Sequence, residues 1–388
     1  MKILIENKED FIIDVVKEST FQSQNKEYKQ EYAKWRDKPD NPYGYKFVHD
    51  TREHSYVADE GYLNRKADVV EKIALYKCLG LLGIVLLVMM VIDIAHSLVM
   101  LSAYGEGYTS LIFFSDRNLD SVDVSLGYSI IAVLFEAAKF LVPAMIFKLV
   151  TKIPSKVAFP SSSHSNGLTL SSVLIMIVVT ILGRMSSSLF SIFLQVFKLD
   201  SVYMYIYPSS DIRVMIISAI SHCLIIPIVS EIFLRGVVLQ TFRQFGDSFA
   251  IVVTCVISTF MYYDIANMGY ILCSSTLIAI FTIRSGSLKT SIYMKICCDS
   301  LNYGLSMLSA LNSYQSVIIE IIFSALIMGI GIIFYSRLTS VGKWNFNLPS
   351  DTSKITLAKK LKTMISTNTI AVWLAASIVF TFVCIRVI

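Results

Sequence analysis

Residues 225–240, IIPIVSEIFLRGVVLQ, are apolar apart from Ser230, Glu231, Arg235 and the closing Gln240. Glu231 and Arg235 stand four positions apart, so a helix carries them on one face within pairing distance. A run this apolar belongs in a low-dielectric setting, where opposite charges must compensate one another. The stretch therefore predicts a membrane helix with a buried charge pair, and the remaining question is whether the pair performs chemistry or only neutralises itself.

The rest of the chain agrees with that setting. It has 388 residues, 54% hydrophobic and 16% charged, with a mean hydropathy of +0.61, which is too apolar for a water-soluble globule. Runs near 78–101, 126–147, 168–197, 213–229, 291–311, 316–336 and 369–387 are long enough to cross a bilayer, and shorter ones at 249–263 and 270–283 bring the expected count to about nine. They are too uniformly apolar for barrel strands. The expected fold is an all-α, polytopic transmembrane helical bundle.

Lysine and arginine collect before the first run (Arg65, Lys66, Lys72, Lys77), after the second (Lys148, Lys152, Lys156), after the fourth (Arg235, Arg243), after the sixth (Arg284, Lys289) and over 337–362. The loop at 102–125 instead carries Glu106, Asp116, Asp120 and Asp123. The bias predicts a plasma-membrane protein with a cytoplasmic N-terminus and an external C-terminus. The net charge of +5 reads as loop bias around a lipid bilayer, with no nucleic-acid partner. No apolar h-region opens the first 70 residues, so the first span is expected to direct insertion. All seven cysteines lie in or beside apolar runs without a CxxC spacing, which predicts neither a disulfide framework nor a metal knuckle.

Four regions are expected: a cytosolic N-terminal extension at 1–77, N-terminal membrane spans at 78–198, a core at 213–336, and a basic amphipathic segment with the last span at 337–388. In the extension, a charged helix over 8–38 is expected to stop at PDNPYG, and a second helix over 64–77 to lead into the membrane. PSSSHSNG at 160–167 reads as a linker, with His164 a loop residue. Ile355, Leu357, Leu361 and Ile365, interleaved with lysines, suit a helix lying on the membrane surface.

Ionisable residues inside apolar runs are site candidates by default, because each costs a few kcal/mol in lipid. Asp93 and His96, Glu136 and Lys139, and Arg184 occupy the early spans, where they read mainly as interhelical glue. The later half adds Glu231 and Arg235, Asp264, and Lys295 with Asp299. Their charges nearly cancel, and Asp264 is expected to find its partner across the bundle.

These later residues resemble the motifs of the CPBP family of intramembrane proteins, which includes type II CAAX prenyl endopeptidases and bacteriocin-processing or immunity proteins. The family's EExxxR followed by Gly is similar to SEIFLRG, with Ser230 in place of the first glutamate and Glu231, Arg235 and Gly236 matching. Its FxxxH resembles FMYYD, which has Phe260 and then Asp264 where histidine belongs. Its Gly-Ser-Leu turn and HxxxN/D helix resemble Gly286, Ser287 and Leu288 followed by Lys295 and Asp299; a shifted register pairs Cys298 with Asn302. The resemblance implies a CPBP-like core whose glutamates and histidines activate water for peptide cleavage, with a divalent metal or as a glutamate-based hydrolase.

Hydrolysis needs a base for water and a donor or metal for the oxyanion. Here the motif histidines are gone, and none of the five histidines follows position 222. His222 precedes Glu231 by nine residues, about 900° of ideal helix, and is expected on the opposite face. Lys295 reads as a substitute for a metal's charge, so no cofactor is expected unless the chain is a protease. The expected role is a non-catalytic relative that binds a peptide, a prenylated protein or a membrane partner as scaffold, maturation accessory or immunity factor. The alternatives are an intramembrane endopeptidase with an altered site, including Ser230 as nucleophile with Lys295 as base, and a transporter using Asp93, Glu136, Arg184 and the later cluster as a relay.

Overall fold

A computed structural model of the protein describes residues 21, 23–38, 40–46, 67–104, 125–162, 166–201, 211–310, 314–340, 353 and 355–387. The start of the expected first helix, most of the acidic loop (105–124), His49, His54, His164, Lys343 and Lys354 lie outside them.

Every apolar run becomes a helix. In chain order these are α1 (Lys26–Asp37), α2 (Ala67–Tyr104), α3 (Leu126–Thr151), α4 (Ser155–Ala158), α5 (Asn166–Val196), α6 (Ile212–Phe245), α7 (Asp247–Phe260), α8 (Met268–Ser285), α9 (Leu288–Ala310), α10 (Tyr314–Ser340), α11 (Leu357–Ser366) and α12 (Asn368–Val383). Side-chain caps fix several starts. Asn25 accepts from the Tyr28 amide (2.8 Å) and Asp211 from the Arg213 amide (2.9 Å), each satisfying an orphan donor of a first turn. A short antiparallel pairing of Leu199–Ser201 with Ile385–Val387 joins the ends of α5 and α12.

Among the described residues, five helices are long and apolar enough to span a membrane, namely α2, α3, α5, α6 and α8. The pair α11 and α12, bent by 77°, can make a sixth. The other three of the nine expected runs are α7, α9 and α10. Only 14 residues long, α7 covers about 21 Å at 1.5 Å per residue, and α9 is diluted by its own Lys295 and Asp299.

Two layers position the site. In one, α2 packs against α3 and α12; in the other, α5 packs against α8, α9 and α10, and α9 lies along α6. The main core gathers Leu79, Leu82 and Leu86 of α2 with Phe233, Phe242 and Phe249 and extends to Tyr28, Tyr32 and Trp35 of α1, while a smaller cluster of Met176, Ile278, Phe281, Met294 and Cys298 joins α5, α8 and α9. The described part of the N-terminal region is therefore built into the bundle.

At the end of the bundle where α6 gives way to α7, here called basal, charge is buried. Arg243 Nε donates to Asp247 Oδ1 (2.7 Å) and Nη2 to Oδ2 (3.3 Å), with both side chains fully buried. Tyr28 donates to Gln240 Oε1 (2.7 Å), Tyr32 to the Gln240 carbonyl (3.2 Å), and Trp35 Nε1 to the Thr151 carbonyl (2.8 Å). Arg243 had counted as a loop charge in the sequence; it sits instead 4.8 Å over the Phe21 ring. Lys360 of the expected surface helix is likewise buried, 3.1 Å from Glu71, while Leu357 and Ile365 stay exposed.

Candidate functional site

The glycines of the two motif turns show why the local chain folds as it does. A Cβ on Gly236 would meet the Ala158 carbonyl at 3.0 Å and the Phe159 ring at 3.3 Å, so only glycine lets α6 pass close to α4. Gly286 ends α8 with φ +63°, and a Cβ there would collide with the Ser23 carbonyl. That turn is held by Ser23 Oγ donating to the Ile283 carbonyl (2.6 Å), Ser162 Oγ to the Ser285 carbonyl (2.6 Å) and the Leu288 amide to the Pro160 carbonyl (2.9 Å). The turn aims α9 back along α6.

The central pair is formed as expected. Arg235 Nη1 donates to Glu231 Oε1 at 3.1 Å, with side-chain exposures of 3% and 0%. Arg235 Nη2 donates to the Ser275 carbonyl (3.0 Å) and hydroxyl (2.6 Å), and Ser275 donates to Ser258 (3.0 Å). Across from α6, Lys295 Nζ lies 2.9 Å from Asp299 Oδ1. Lys295, Asp299 and Ser291 all lie within electrostatic reach of Glu231. The pair on α9 is 22% and 18% exposed, so it is accessible where Glu231 is not. Glu231 Oε2 and Arg235 Nε have no hydrogen-bond partner among the described residues.

Two expected members behave differently. Ser230 is fully buried and donates to the Pro227 carbonyl one turn back (3.1 Å), which packs its hydroxyl against its own helix. Asp264 is bonded within its own turn, accepting from the amides of Ala266 (3.0 Å) and Asn267 (3.2 Å) and from Asn267 Nδ2 (2.7 Å). Among the described residues, Glu231 pairs with Arg235 and not with Asp264. In the shifted register, Cys298 donates to the Met176 carbonyl (3.8 Å) and Asn302 Nδ2 to Tyr270 Oη (3.1 Å), placing both toward α5 and α8.

His222 is where ideal geometry fails. Residues Ser221–Ile225 and Ile232–Val238 are wound as π-helix. Such i→i+5 turns rotate less per residue than an α-helix and are frequent at functional sites. The His222 ring accordingly stacks on Tyr303 of α9 (5.8 Å between centroids, 29°), and its charge reaches Asp299, four residues before Tyr303. An imidazole therefore does border the cluster. Its Nδ1 lies 2.9 Å from the Ser218 carbonyl, so the neutral ring donates there and leaves Nε2 as the acceptor.

The early charges form a second cluster, paired between helices. Lys139 Nζ lies 2.9 Å from Asp93 Oδ1 and His96 Nδ1 lies 3.6 Å from Glu136 Oε1, so α2 and α3 exchange partners in place of the three-apart pairing within each helix. Tyr263, at φ 54°, donates to Asp93 Oδ2 (3.4 Å). Its neighbour Tyr262 has Lys139 on one side and Glu231, Lys295 and Asp299 on the other within electrostatic reach.

A divalent metal, which the CPBP resemblance allows, does not fit this donor set. Among the described residues no three His, Cys, Asp or Glu side chains gather to hold an ion, and the Lys295 ammonium already compensates Asp299.

With this geometry in place, the comparison with protein families is specific. Residues 212–301 match the family model for type II CAAX prenyl endopeptidase, Rce1-like. No curated protein and no solved structure matches the chain. The matched stretch begins at α6 and ends just after Asp299, so it contains all six expected motif positions. Over those residues this membrane protein is similar to CAAX-protease-like proteins.

Proposed function

We propose that this Rce1-like domain binds a peptide, a prenylated protein tail or a membrane partner without cutting it, in the plasma membrane with the N-terminus cytoplasmic. The supporting observation is that the glutamate kept from the EExxxR pattern is fully buried and bonded to Arg235, while a Lys295–Asp299 pair stands at the HxxxN/D positions. A carboxylate so compensated is a poor base for water, and Ser230, turned onto its own helix, replaces its partner. What remains is a polar cluster between α6 and α9, partly exposed at Lys295, suited to orienting an extended chain. The test incubates purified protein with farnesylated CAAX peptides and with leader peptides, beside Glu231→Gln. Bound, uncut peptide is the expected result; cleavage lost in Glu231→Gln would overturn it.

One observation favours a second reading, an endopeptidase with an altered site. His222 lies within electrostatic reach of Asp299, and an imidazole there is a candidate base that the motif pattern does not contain. Under that reading His222→Ala removes cleavage while leaving peptide binding within about twofold.

A further inference from the structure

The chain leaves α7 through Met261, Tyr262, Tyr263 and Asp264, and Tyr263 adopts φ 54°. A left-handed residue just past a helix end is ordinarily glycine or asparagine, so a tyrosine held there is strained. Such strain persists only where the surroundings over-determine it, and it gathers at functional sites. Three helices hold Tyr263. Its ring is 3% exposed, its hydroxyl donates to Asp93 of α2 (3.4 Å), the Lys139 ammonium of α3 lies 5.9 Å from its centroid, and Phe380 of α12 meets it edge-on at 5.5 Å. Lys139 is itself held 2.9 Å from Asp93, with both side chains under a tenth exposed. Tyr262 leaves the same turn toward the other cluster. The Lys295 ammonium lies 5.8 Å from its ring centroid, within range of a cation–π contact, and pairs with Asp299 at 2.9 Å. Two consecutive aromatic rings thus serve two ion pairs on different helices.

We propose that Tyr262 is the aromatic wall of the α6–α9 site, set against the Lys295 ammonium, and that the Asp93–Lys139 pair positions this wall through Tyr263. The inference rests on the function proposed above in taking the α6–α9 cluster as the place where a peptide lies. It gives the early charges a part in that site. Asp93 and Lys139 fix the Tyr263 ring, Tyr263 fixes the turn, and the turn sets Tyr262 beside a partly exposed cation. Asp93, Lys139 and Tyr263 are then positioning residues, and Tyr262 is the one that meets the ligand. A peptide segment that reaches Lys295 meets its ring, whose flat apolar face favours an apolar side chain next to the polar contact.

The test measures acetylation of Lys295 by the N-hydroxysuccinimide ester of acetic acid, in the full chain in phosphatidylcholine nanodiscs. Lys289, exposed on the same helix, is the internal reference, and the Lys295-to-Lys289 ratio is read by mass spectrometry. Tyr262→Leu is expected to raise the ratio about fivefold, and Tyr262→Phe, which keeps the ring, to leave it at the parent value. Tyr263→Gly takes up the left-handed backbone without strain but has no ring to hold the turn, and is expected to act as Tyr262→Leu does. Tyr263→Phe keeps the packing and loses the bond to Asp93, with an expected rise of about twofold. It keeps the link testable even where Tyr263→Gly does not fold. A ratio unchanged in Tyr262→Leu overturns the wall, and one unchanged in the Tyr263 variants overturns its positioning from α2 and α3. Farnesylated CAAX peptide is expected to bind Tyr262→Leu about fivefold more weakly than the parent. Equal affinity would remove Tyr262 from the binding site, whereas a parent that binds no peptide counts against the function proposed above and leaves the acetylation ratio to judge the wall.

Discussion

Two arginines of α6, Arg235 in its interior and Arg243 at its end, are each paired with an acid four residues away along the chain, and the two pairs are finished differently. At the basal end, Arg243 reaches Asp247 through two nitrogens, Gln240 and Tyr28 through a third, and the Phe21 ring through its face. At Glu231–Arg235, one carboxylate oxygen and one guanidinium nitrogen have no hydrogen-bond partner among the described residues, although both residues are buried. Saturated networks fix a fold, and unsaturated ones mark places where something else is to bind. On this reading the basal network is architecture and the motif cluster is a site.

The largest effect that separates them is on stability. Arg243→Met strands a fully buried Asp247, and its expected cost is about 3–5 kcal/mol. Arg235→Met strands Glu231 as well, but Lys295 remains within reach to compensate it, and the expected loss is about 2 kcal/mol, less than the usual cost of breaking a buried pair. Reversible unfolding of both variants in the same mixed micelles compares them directly. An Arg235→Met loss equal to or above that of Arg243→Met would erase the distinction.

The next effect is alkaline and is read at the basal network. Burial pushes the Tyr28 phenol up to about 12, with Arg243 partly opposing it. The unfolded phenol titrates near pH 10. Because the folded value is the higher, Tyr28 contributes its stability in full below about pH 10 and loses it as pH rises toward 12, a change of about 3 kcal/mol. Tyr28→Phe is expected to lessen the fall in stability over that window by about that amount. The loss in the parent should coincide with fluorescence changes at Trp35, one of three tryptophans and the one bonded to Thr151.

How much of this the sequence carried follows from which interactions are local. Apolar runs set the helices, because bilayer length and backbone satisfaction leave few options. The four-apart pairs Glu231–Arg235 and Lys295–Asp299 were legible because helix geometry alone brings them together. Arg243 has the same spacing to Asp247 and still reads as a loop charge, since nothing local says that Tyr28 and Phe21, some 215 residues away for Tyr28, will cover it. The exchange of partners among Asp93, His96, Glu136 and Lys139 needed the placement of α2 on α3. Asp264 matched a motif position, yet an aspartate two and three residues before free amides is drawn into its own turn. His222 was misplaced because nine residues were counted at ideal pitch, and no residue in SHCLI announces a π turn.

The smallest expected effect bears on the site most directly. Ser230→Ala removes one hydroxyl bonded to the carbonyl three residues back, an interaction that competes with helix bonds and adds little to them. Its expected cost in stability is below about 1 kcal/mol, with peptide binding unchanged. A serine acting as nucleophile would have to leave that bond and face Lys295, and replacing it would then abolish any cleavage while sparing stability. Removing His222 works from the other side of the cluster, since its ring rests on Tyr303 and it lies within electrostatic reach of Asp299. If Ser230→Ala is silent and His222→Ala changes peptide affinity, recognition in this domain runs through the facing sides of α6 and α9 and not through the residue that replaced the first motif glutamate.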